Sequence, residues 1–247
     1  DDSDDETANE SAQKVIDVNP NDSNEHKGMH IEKVNRITLA LQKLIIDRAV
    51  SFCFGTPVDY NASPDNDQQT MILNALKRIL KDVKATSLDR KIARQIFTYT
   101  ECAELWYPVA KPNEHYGFKS NFKLRVAIFS PGLGDTLYPY FDNTGDMIAF
   151  SRSFSRKDEK GVAREYFETY TDEEHALWTI GKEGEQLVEG YPTPIAIGKI
   201  PVIYGNQDHC ETDDINSLVD RLELLLSNFA DTNDYHASPK IFTTGQI

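Results

Sequence analysis

The sequence predicts an α+β fold in which N-terminal helices pack on an antiparallel β meander and a long helix follows on the C-terminal side. Three helical patterns of apolar residues precede the strand patterns, and a fourth helical pattern follows them. The chain lacks the regular alternation of strands and helices that a doubly wound parallel sheet requires. With 247 residues, it is long enough to bury a substantial core.

Apolar residues that recur at steps of three and four predict the helices. The first helix is expected from His30 to near Gly55, and the second begins close to residues 65–67. The third is expected to begin at Ser87 or Asp89, because either side chain can accept a hydrogen bond from the first helical turn. All three patterns are amphipathic, so each helix is expected to bury one face.

Alternation of apolar and polar residues, which predicts strands, becomes clear after Trp106. The run from Asp142 to Gly145 is a turn signal between two of these strands. A last helix is expected to start at Thr212 or Asp213, and it carries more apolar positions than one small core needs. The predicted strands cover residues 122–128, 137–141, 147–154, 166–170, 177–180 and 195–204.

Charge is distributed unevenly along the chain. Forty acidic and 26 basic residues give a formal net charge of −14, which argues against non-specific binding to nucleic acid or to an anionic membrane surface. Residues 1–27 contain nine acids and two bases, a composition that predicts a flexible acidic tail. Residues 28–211 are then expected to form the folded α+β domain, and residues 212–247 a helical region. No apolar run approaches the roughly 18 residues of a membrane span.

Patterns that would indicate chemistry are scarce. Cys53, Cys102 and Cys210 are odd in number and widely spaced, which predicts free thiols. Cys102 lies in an apolar stretch with helical character, so a buried structural thiol is expected there. The six histidines include no HExxH motif and the cysteines no CxxC motif. The run Pro131–Asp135 lacks the third glycine of a dinucleotide fingerprint and is interpreted as a loop between strands.

Two pairs of acids have the composition of a magnesium site. They are Asp65 with Asp67 and Asp213 with Asp214. Each pair lies where a helix is expected to begin, so capping is the better interpretation. The sequence therefore assigns no catalytic residue, no metal ligand and no cofactor.

The most informative charge pattern is a basic stretch between residues 77 and 94. It contains seven bases and only two acids, Asp82 and Asp89, in a strongly acidic protein. A solvated helical face would explain it, and so would a docking surface for DNA, for an acidic neighbour or for the acidic tail. The seven bases are Lys77, Arg78, Lys81, Lys84, Arg90, Lys91 and Arg94.

A second basic group surrounds an expected hairpin loop. A group of this kind is usually solvated surface, and no function is assigned to it. Its members are Arg152, Arg156, Lys157, Lys160 and Arg164.

Several segments occur in an order shared with a known family. They are the helix at residues 35–54 with its Ile46-Asp47 centre and the following Gly55-Thr56-Pro57-Val58 step, then residues 138–146 and 148–154, 166–171, 198–203 and 218–220. In this order the segments resemble tailed-bacteriophage portal proteins of the siphophage type. Each motif is short, and their shared order over about residues 30–247 is the stronger part of the resemblance.

The resemblance implies a structural protein and not an enzyme. Residues 28–211 would be a wing-like domain and residues 212–247 the start of the stem, with the clip, second stem helix and crown of that family absent from this chain. Such a protein forms a ring of about twelve copies at one capsid vertex, through head-to-tail contacts that close by rotation. Double-stranded DNA passes through the ring without sequence-specific binding when it is packaged and when it is ejected.

The resemblance also implies partners and a location. The partners would be other copies of the chain, the large subunit of terminase, the major capsid or scaffold protein, and a head–tail connector protein. The protein would lie in the virion at the portal vertex, and in the host cytoplasm during assembly, with no membrane association. On this interpretation, the seven bases between residues 77 and 94 contact an adjacent subunit or an acidic capsid or scaffold partner.

Two alternatives remain open at this point. One is a non-viral soluble module for protein–protein interaction, which predicts a monomer or a small closed oligomer. The other is an enzyme whose site is assembled from scattered residues such as His115, Asp135, Glu174 and His175. A cleft that holds two or more of these side chains within hydrogen-bond reach would support the enzyme, and their dispersal would argue against it.

Overall fold

The computed structural model describes residues 13–16, 30–33, 36–157, 161–181 and 184–237. The chain divides into two compact units, one formed by Leu44–Asp213 and the other by Asp1–Lys43 with Asp214–Ile247. Helices and antiparallel strands occupy separate stretches of the chain, which confirms the α+β class. Within the described ranges, no helix combines the length and the apolarity needed to cross a bilayer.

The described elements follow one another along the chain in a simple order. The helices are α1 (Leu41–Cys53), α2 (Asp67–Asp82), α3 (Ala85–Tyr99) and α4 (Asn216–Ala237). The strands are β1 (Gln13–Ile16), β2 (His30–Lys33), β3 (Glu101–Val109), β4 (Lys123–Phe129), β5 (Thr136–Phe141), β6 (Met147–Lys157), β7 (Ala163–Tyr170), β8 (Glu174–Gly181), β9 (Gly184–Leu187), β10 (Thr193–Pro194) and β11 (Val202–Asn206).

The predicted start of the first helix at His30 is wrong, because helix α1 begins at Leu41. His30 instead begins β2, which pairs antiparallel with β1. Further along, the backbone N–H groups of Ile37 and Leu39 donate to side chains of α4, Ser227 Oγ at 3.0 Å and Glu223 Oε1 at 2.7 Å. These donors are therefore engaged by side chains of another helix, and the apolar periodicity of this stretch does not produce a helix.

Strand β1 lies inside the segment that the sequence predicts to be a flexible acidic tail, residues 1–27. The rest of that segment lies outside the described residues. Flexibility of the tail therefore stays a prediction, as do the domain boundaries near residues 27 and 211.

Helix α2 is capped by a residue between the two acids named above. The Asn66 side chain accepts a hydrogen bond from the N–H of Gln69 at 2.9 Å, while Gln69 Oε1 accepts one from the N–H of Asp65 at 2.7 Å. This reciprocal arrangement satisfies two backbone donors at the helix start. Asp67 lies in the first turn, where its negative charge interacts favourably with the helix dipole.

Helix α3 begins earlier than the sequence indicates, at Ala85 and not at Ser87 or Asp89. The backbone reverses direction at Lys84, which adopts the left-handed conformation with φ 56° and ψ 49° immediately after the end of α2. Left-handed backbone at a residue other than glycine, asparagine or aspartate is uncommon. The sequence therefore gives no signal for such a short connection.

Two sheets form the β part of the Leu44–Asp213 unit. Strands β11, β3 and β4 make a three-stranded antiparallel sheet, and the larger sheet has the order β10-β8-β7-β6-β5, with β9 paired to β8. Because β5 to β8 are neighbours in sequence order, the predicted meander is confirmed for these strands, whereas β4, the strand predicted at residues 122–128, pairs with β3 in the other sheet. Two details differ: Cys102 lies in strand β3 rather than in helical structure, and residues 195–201 are not in a strand.

The turn predicted at residues 142–145 joins β5 to β6. The Asp142 carboxylate accepts hydrogen bonds from the N–H of Thr144 at 2.8 Å and from the N–H of Asp146 at 2.9 Å. Gly145 has φ 91°, which a side chain would disfavour. Local residue chemistry thus determines this turn without help from tertiary contacts.

The two sheets share one apolar core. Phe150 at its centre is fully buried, and its ring lies 6.4 Å from Phe129 and 6.3 Å from Tyr204, measured between centroids. A second, smaller cluster joins α1 to α3. The buried residues of the first core are Ala103, Leu105, Phe129, Leu137, Phe150, Tyr170 and Val202, and those of the second are Ile46, Val50 and Ala93.

We predict that Phe150→Ala lowers the free energy of unfolding by about 3–5 kcal/mol, because it removes a buried ring and leaves a cavity between the sheets. Ile148→Ala on the same strand is the control, since Ile148 is 47% exposed and its loss should cost about 1 kcal/mol or less. Urea denaturation followed by circular dichroism measures both. Equal losses in the two variants would contradict this placement of the core.

Candidate functional site

The seven bases predicted as a contact surface have different environments in the structure. Arg94 forms an ion pair with Asp47 of α1, with 2.8 Å between Nη2 and Oδ1. Arg90 donates from Nε to the carbonyl oxygen of Phe54 at 3.0 Å. Both arginines therefore hold α3 against the end of α1, and this contribution to folding was not foreseen from the sequence.

The two acids of the basic stretch do not neutralise it. Asp82 pairs with Arg125 at 2.9 Å and with Lys123 at 3.5 Å, both on strand β4. The hydrogen bond from Arg125 is the main cause that lowers the pKa of Asp82, so this carboxylate stays charged. Asp89 is half-buried, and desolvation raises its pKa. Among the described residues, neither carboxylate forms an ion pair with a base of this stretch.

Four of the seven bases line one cavity of about 450 Å³ at the junction of α2 and α3. Lys77, Lys81 and Lys84 are exposed and form no ion pair with any residue that the structure describes. Arg90 and the single acid Asp59 complete the charged lining. The other lining residues are Val58, Tyr60, Leu80, Ala85, Thr86 and Ser87. We call this cavity, with these eleven residues, the basic pocket.

The other three bases lie outside the basic pocket, and one of them, Arg94, forms the ion pair with Asp47. Arg78 packs close to the loop that contains Gly117, where an added Cβ would come within 2.8 Å of Nη1 of the arginine. Lys91 is exposed on α3. The structure therefore brings together a subset of the predicted residues, and the subset comes from two helices and the segment 58–60.

A buried charge network that the sequence did not reveal lies in the larger sheet. Arg152 on β6 pairs with Asp135 at 2.9 Å and with Glu168 of β7 at 3.1 Å, and the side chains of both acids are only 7% exposed. Its guanidinium also lies 3.6 Å from the ring centroid of Phe129 on β4 and 4.1 Å from that of Phe154. Arg152 therefore connects the two sheets, and the prediction that it is solvated surface is wrong.

The network continues on both sides of Arg152. Asp135 accepts a hydrogen bond from the N–H of Ser130 at 3.0 Å, and Ser130 Oγ donates to Gln95 of α3 at 2.8 Å. On the other side, the Tyr170 hydroxyl donates to Glu168. Burial and the Glu168 carboxylate raise the pKa of Tyr170, so this hydroxyl stays a donor. Buried charges linked in this way fix the geometry of the elements that carry them.

The alternation of side chains along the strands indicates this network in the sequence. Phe150, Arg152 and Phe154 share one face of β6, because side chains two residues apart point the same way. Arg152 is thus the charged residue in a row of apolar inward positions. Glu168 and Tyr170 share a face of β7 in the same way, and Arg152 lies directly opposite Glu168.

The residues of the enzyme alternative do not assemble into a catalytic cleft. His115 and Glu174 are exposed, while Asp135 is buried in the charge network. His175 stacks on Tyr170 at 4.1 Å between ring centroids, with Glu168 and Arg152 between it and Asp135. Among the described residues, no group of three or more potential ligands is placed to hold a metal ion. This dispersal argues against a catalytic site built from these four residues.

The cysteines are free, as predicted. Cys102 is 1% exposed, and desolvation raises the pKa of its thiol to about 12, so it is not a nucleophile near neutral pH. The Cys210 thiol lies 3.1 Å from the carbonyl oxygen of Phe97 at the end of α3. Cys53 is exposed.

Helix α4 presents an apolar stripe to solvent. The spacing of its members is four, three and four residues, so they lie on one face of the helix. Their exposed fractions are 68% for Leu218, 39% for Leu222, 49% for Leu225 and 71% for Phe229. A contiguous row of exposed large apolar side chains is typical of an interaction surface. We call these four residues the α4 stripe.

The model of a family described as "Phage portal protein, SPP1 Gp6-like" matches residues 10–247, which is nearly the whole chain. A search of curated proteins found no match.

We predict that Arg152→Ala lowers the free energy of unfolding by about 3–5 kcal/mol, because it removes the cation that neutralises two buried carboxylates. Arg156→Ala on the exposed end of the same strand is the matched control, with an expected change within about 0.5 kcal/mol. Chemical denaturation with a fluorescence readout measures both. If the two variants unfold at the same denaturant concentration, the network does not have the assigned role.

We predict that His175 makes the protein less stable as the pH falls below its ordinary pKa of 6.5. Desolvation is the main cause that lowers the pKa of His175, and Arg152 adds to it against the opposing effect of Glu168. The folded state therefore binds this proton less readily than the unfolded state, so stability present above pH 6.5 is lost as the pH falls through the lowered pKa.

The test of the His175 prediction is His175→Phe, which keeps the stacked ring and removes the titrating group. The free energy of unfolding, measured between about pH 7 and 5, should then fall less steeply with decreasing pH than in the unmodified protein. His115→Phe, at an exposed histidine, should leave the slope unchanged. An unchanged slope in His175→Phe would show that His175 is not responsible.

Proposed function

Because the chain belongs to the SPP1 Gp6-like family of phage portal proteins, we propose that it forms the ring-shaped channel at a capsid vertex through which phage DNA is packaged and ejected. The family is structural rather than enzymatic, and membership implies an oligomeric ring associated with the capsid of the virion. The finer parts of the proposal are the passage of DNA, a ring of about twelve copies, the docking partners and the assembly in the host cytoplasm.

The α4 stripe is the observation that supports ring formation most strongly. Four large apolar side chains on one helical face remain in contact with water in a single copy. Burying them against a neighbouring copy would remove that apolar surface from water, which is favourable by about 25 cal/mol per Å². A head-to-tail contact of this kind, repeated by rotation, closes into a ring.

The net charge of −14 is compatible with a channel for sliding DNA. Proteins that bind DNA without sequence specificity do so mainly by neutralising phosphates with lysine and arginine. A chain with 40 acids and 26 bases offers few such contacts overall. It can therefore surround a duplex without binding it tightly.

We assign parts of the chain to parts of the portal in the following way. Residues 28–211 are the wing-like domain and residues 212–247 the start of the stem, where α4 lies. The seven bases from Lys77 to Arg94 contribute to contacts with an adjacent subunit or with an acidic capsid or scaffold protein. Terminase and a head–tail connector protein are the partners proposed for DNA packaging and for tail attachment.

We predict that Leu225→Ser combined with Phe229→Ser prevents ring formation. Both side chains are exposed, so the double substitution should leave the folded subunit intact while it removes apolar surface from the subunit contact. Arg221→Ser combined with Asn228→Ser is the matched control, because both residues are exposed positions of the same helix. Light scattering measures the oligomer mass, and circular dichroism verifies folding.

The control variant should retain the ring and its incorporation into capsids. A ring of unchanged mass in the Leu225 and Phe229 variant would exclude the α4 stripe as the subunit contact. If the unmodified protein stayed a monomer or a small closed oligomer under assembly conditions, the alternative of an interaction module would replace the portal proposal.

A further inference from the structure

The basic pocket combines charge, shape and apolar surface in one place. Lys77 and Lys81 come from α2, Lys84 from the junction, and Arg90 from α3, against the single acid Asp59. Four bases and one acid give the lining a formal charge of +3. This positive site belongs to a protein whose total charge is −14, so its local charge is opposite in sign to that of the whole chain and would attract anions.

The cations of the pocket are not needed for folding, with one exception. Arg90 holds the carbonyl oxygen of Phe54. The three lysines, by contrast, make no side-chain hydrogen bond or ion pair to any residue that the structure describes. Their ammonium groups are therefore available to a ligand, at a site whose backbone is held by two helices.

The backbone at the pocket adds to its affinity for anions. The first turn of α3 lines the cavity through Ala85, Thr86 and Ser87. Its N-cap residue Lys84 makes no side-chain capping hydrogen bond, and no acid lies in that turn. The N–H groups of Ser87 and Leu88 donate to the carbonyl oxygen of Lys84, so the N–H groups of Ala85 and Thr86 are the ones at this helix start that favour negative charge. The hydroxyls of Thr86 and Ser87 provide two further donors.

The size and the lining of the cavity favour some anionic ligands over others. About 450 Å³ is within the range of roughly 300–1,000 Å³ typical of cavities that enclose small ligands, and it is suited to a few residues of an extended peptide. Val58, Leu80 and Tyr60 give the lining an apolar part, which a bare phosphate would not use.

We propose that the basic pocket is the docking site for a short acidic peptide segment of a separate partner protein. The carboxylates of such a segment would bind the three lysines and the first turn of α3, while an apolar side chain between them contacts Val58, Leu80 and Tyr60. A separate protein is favoured over a second copy because the pocket is concave, whereas the contact between folded subunits buries a broad surface of roughly 800 Å² on each side.

The inference rests on the proposed function in one respect only. A protein of the capsid vertex must engage partners different from itself, and this pocket narrows the chemistry of one of them. The partner is defined here by its acidic, partly apolar segment, and binding of such a segment can be measured without assembling a capsid.

The test measures binding of a labelled ten-residue peptide, composed of Asp and Glu with one central Leu, to the complete chain at low salt. The triple variant Lys77→Gln, Lys81→Gln and Lys84→Gln should bind this peptide at least about tenfold more weakly, because its charge-assisted contacts are lost. The matched control substitutes Gln for three exposed lysines elsewhere, Lys111, Lys119 and Lys199, with the same change in net charge. It should bind within about twofold of the unmodified chain.

A second measurement locates the bound peptide. A zero-length carbodiimide reagent joins carboxylates to amines that are in direct contact, and mass spectrometry identifies the joined residues. The expected products join the peptide to Lys77, Lys81 or Lys84. Products confined to the three control lysines would overturn the proposal.

Three further outcomes would also overturn it. Equal affinity for a matched peptide of Asn and Gln would show that the pocket does not recognise charge. Binding of duplex DNA or inorganic phosphate that depends on the three lysines, without binding of the acidic peptide, would identify a phosphate site. Loss of self-association in the triple variant, with no peptide binding, would identify a second copy as the occupant.

Oligomer mass, measured on the same samples, separates this inference from the proposed function. A ring that forms normally in a protein that does not bind the peptide would contradict the pocket proposal alone. Lysine-dependent peptide binding by a protein that forms no ring would support the pocket proposal and contradict the channel.

Discussion

The Leu44–Asp213 unit depends on one buried arginine. Arg152 lies between Asp135 and Glu168 and between two aromatic rings, one from each sheet. Through Asp135 and Ser130 its influence extends to Gln95 of α3. A buried charge of this kind is costly to bury unless every partner is in place, so the network requires β4, β6, β7 and α3 to adopt one arrangement together.

That arrangement holds the helices that present the basic pocket. Asp82 fixes α2 to strand β4 through Arg125, and Arg90 and Arg94 fix α3 to α1 and the chain after it. The basic stretch therefore contains two kinds of residue that look alike in the sequence. The arginines at 90 and 94 stabilise the fold, whereas the lysines at 77, 81 and 84 form no ion pair with any residue that the structure describes. This division supports a docking role for the lysines, since the fold does not require them.

Local patterns predicted most of the strands and the start of α2 well, because those elements are determined by nearby residues. The turn at residues 142–145 is an example, since Asp142 and Gly145 specify it by themselves. The first helix was predicted too long because the backbone N–H groups of Ile37 and Leu39 donate to side chains near residue 225, and these bonds favour a non-helical backbone. The periodicity of apolar residues contains no information about hydrogen-bond partners so distant in sequence. The left-handed residue Lys84 was missed because its side chain is not of a type that favours this conformation.

The candidate site was predicted in part. The concentration of bases between residues 77 and 94 was visible in the composition, but its separation into a pocket and two structural arginines depends on α1, which is distant in sequence. Arg152 was assigned to the surface because it occurs near other bases, although its parity with Phe150 and Phe154 pointed inward. The resemblance to portal proteins was based on the order of short motifs along the chain. These motifs extend over nearly all of the residues that the family model matches.

The most direct test of the portal proposal is the mass of the particle that the protein forms. Native mass spectrometry measures this mass, and electron-microscope images show the shape of the particle. We expect closed rings with a central opening and a single subunit number of about twelve. A monomer or dimer at every concentration, salt and pH tested would contradict it.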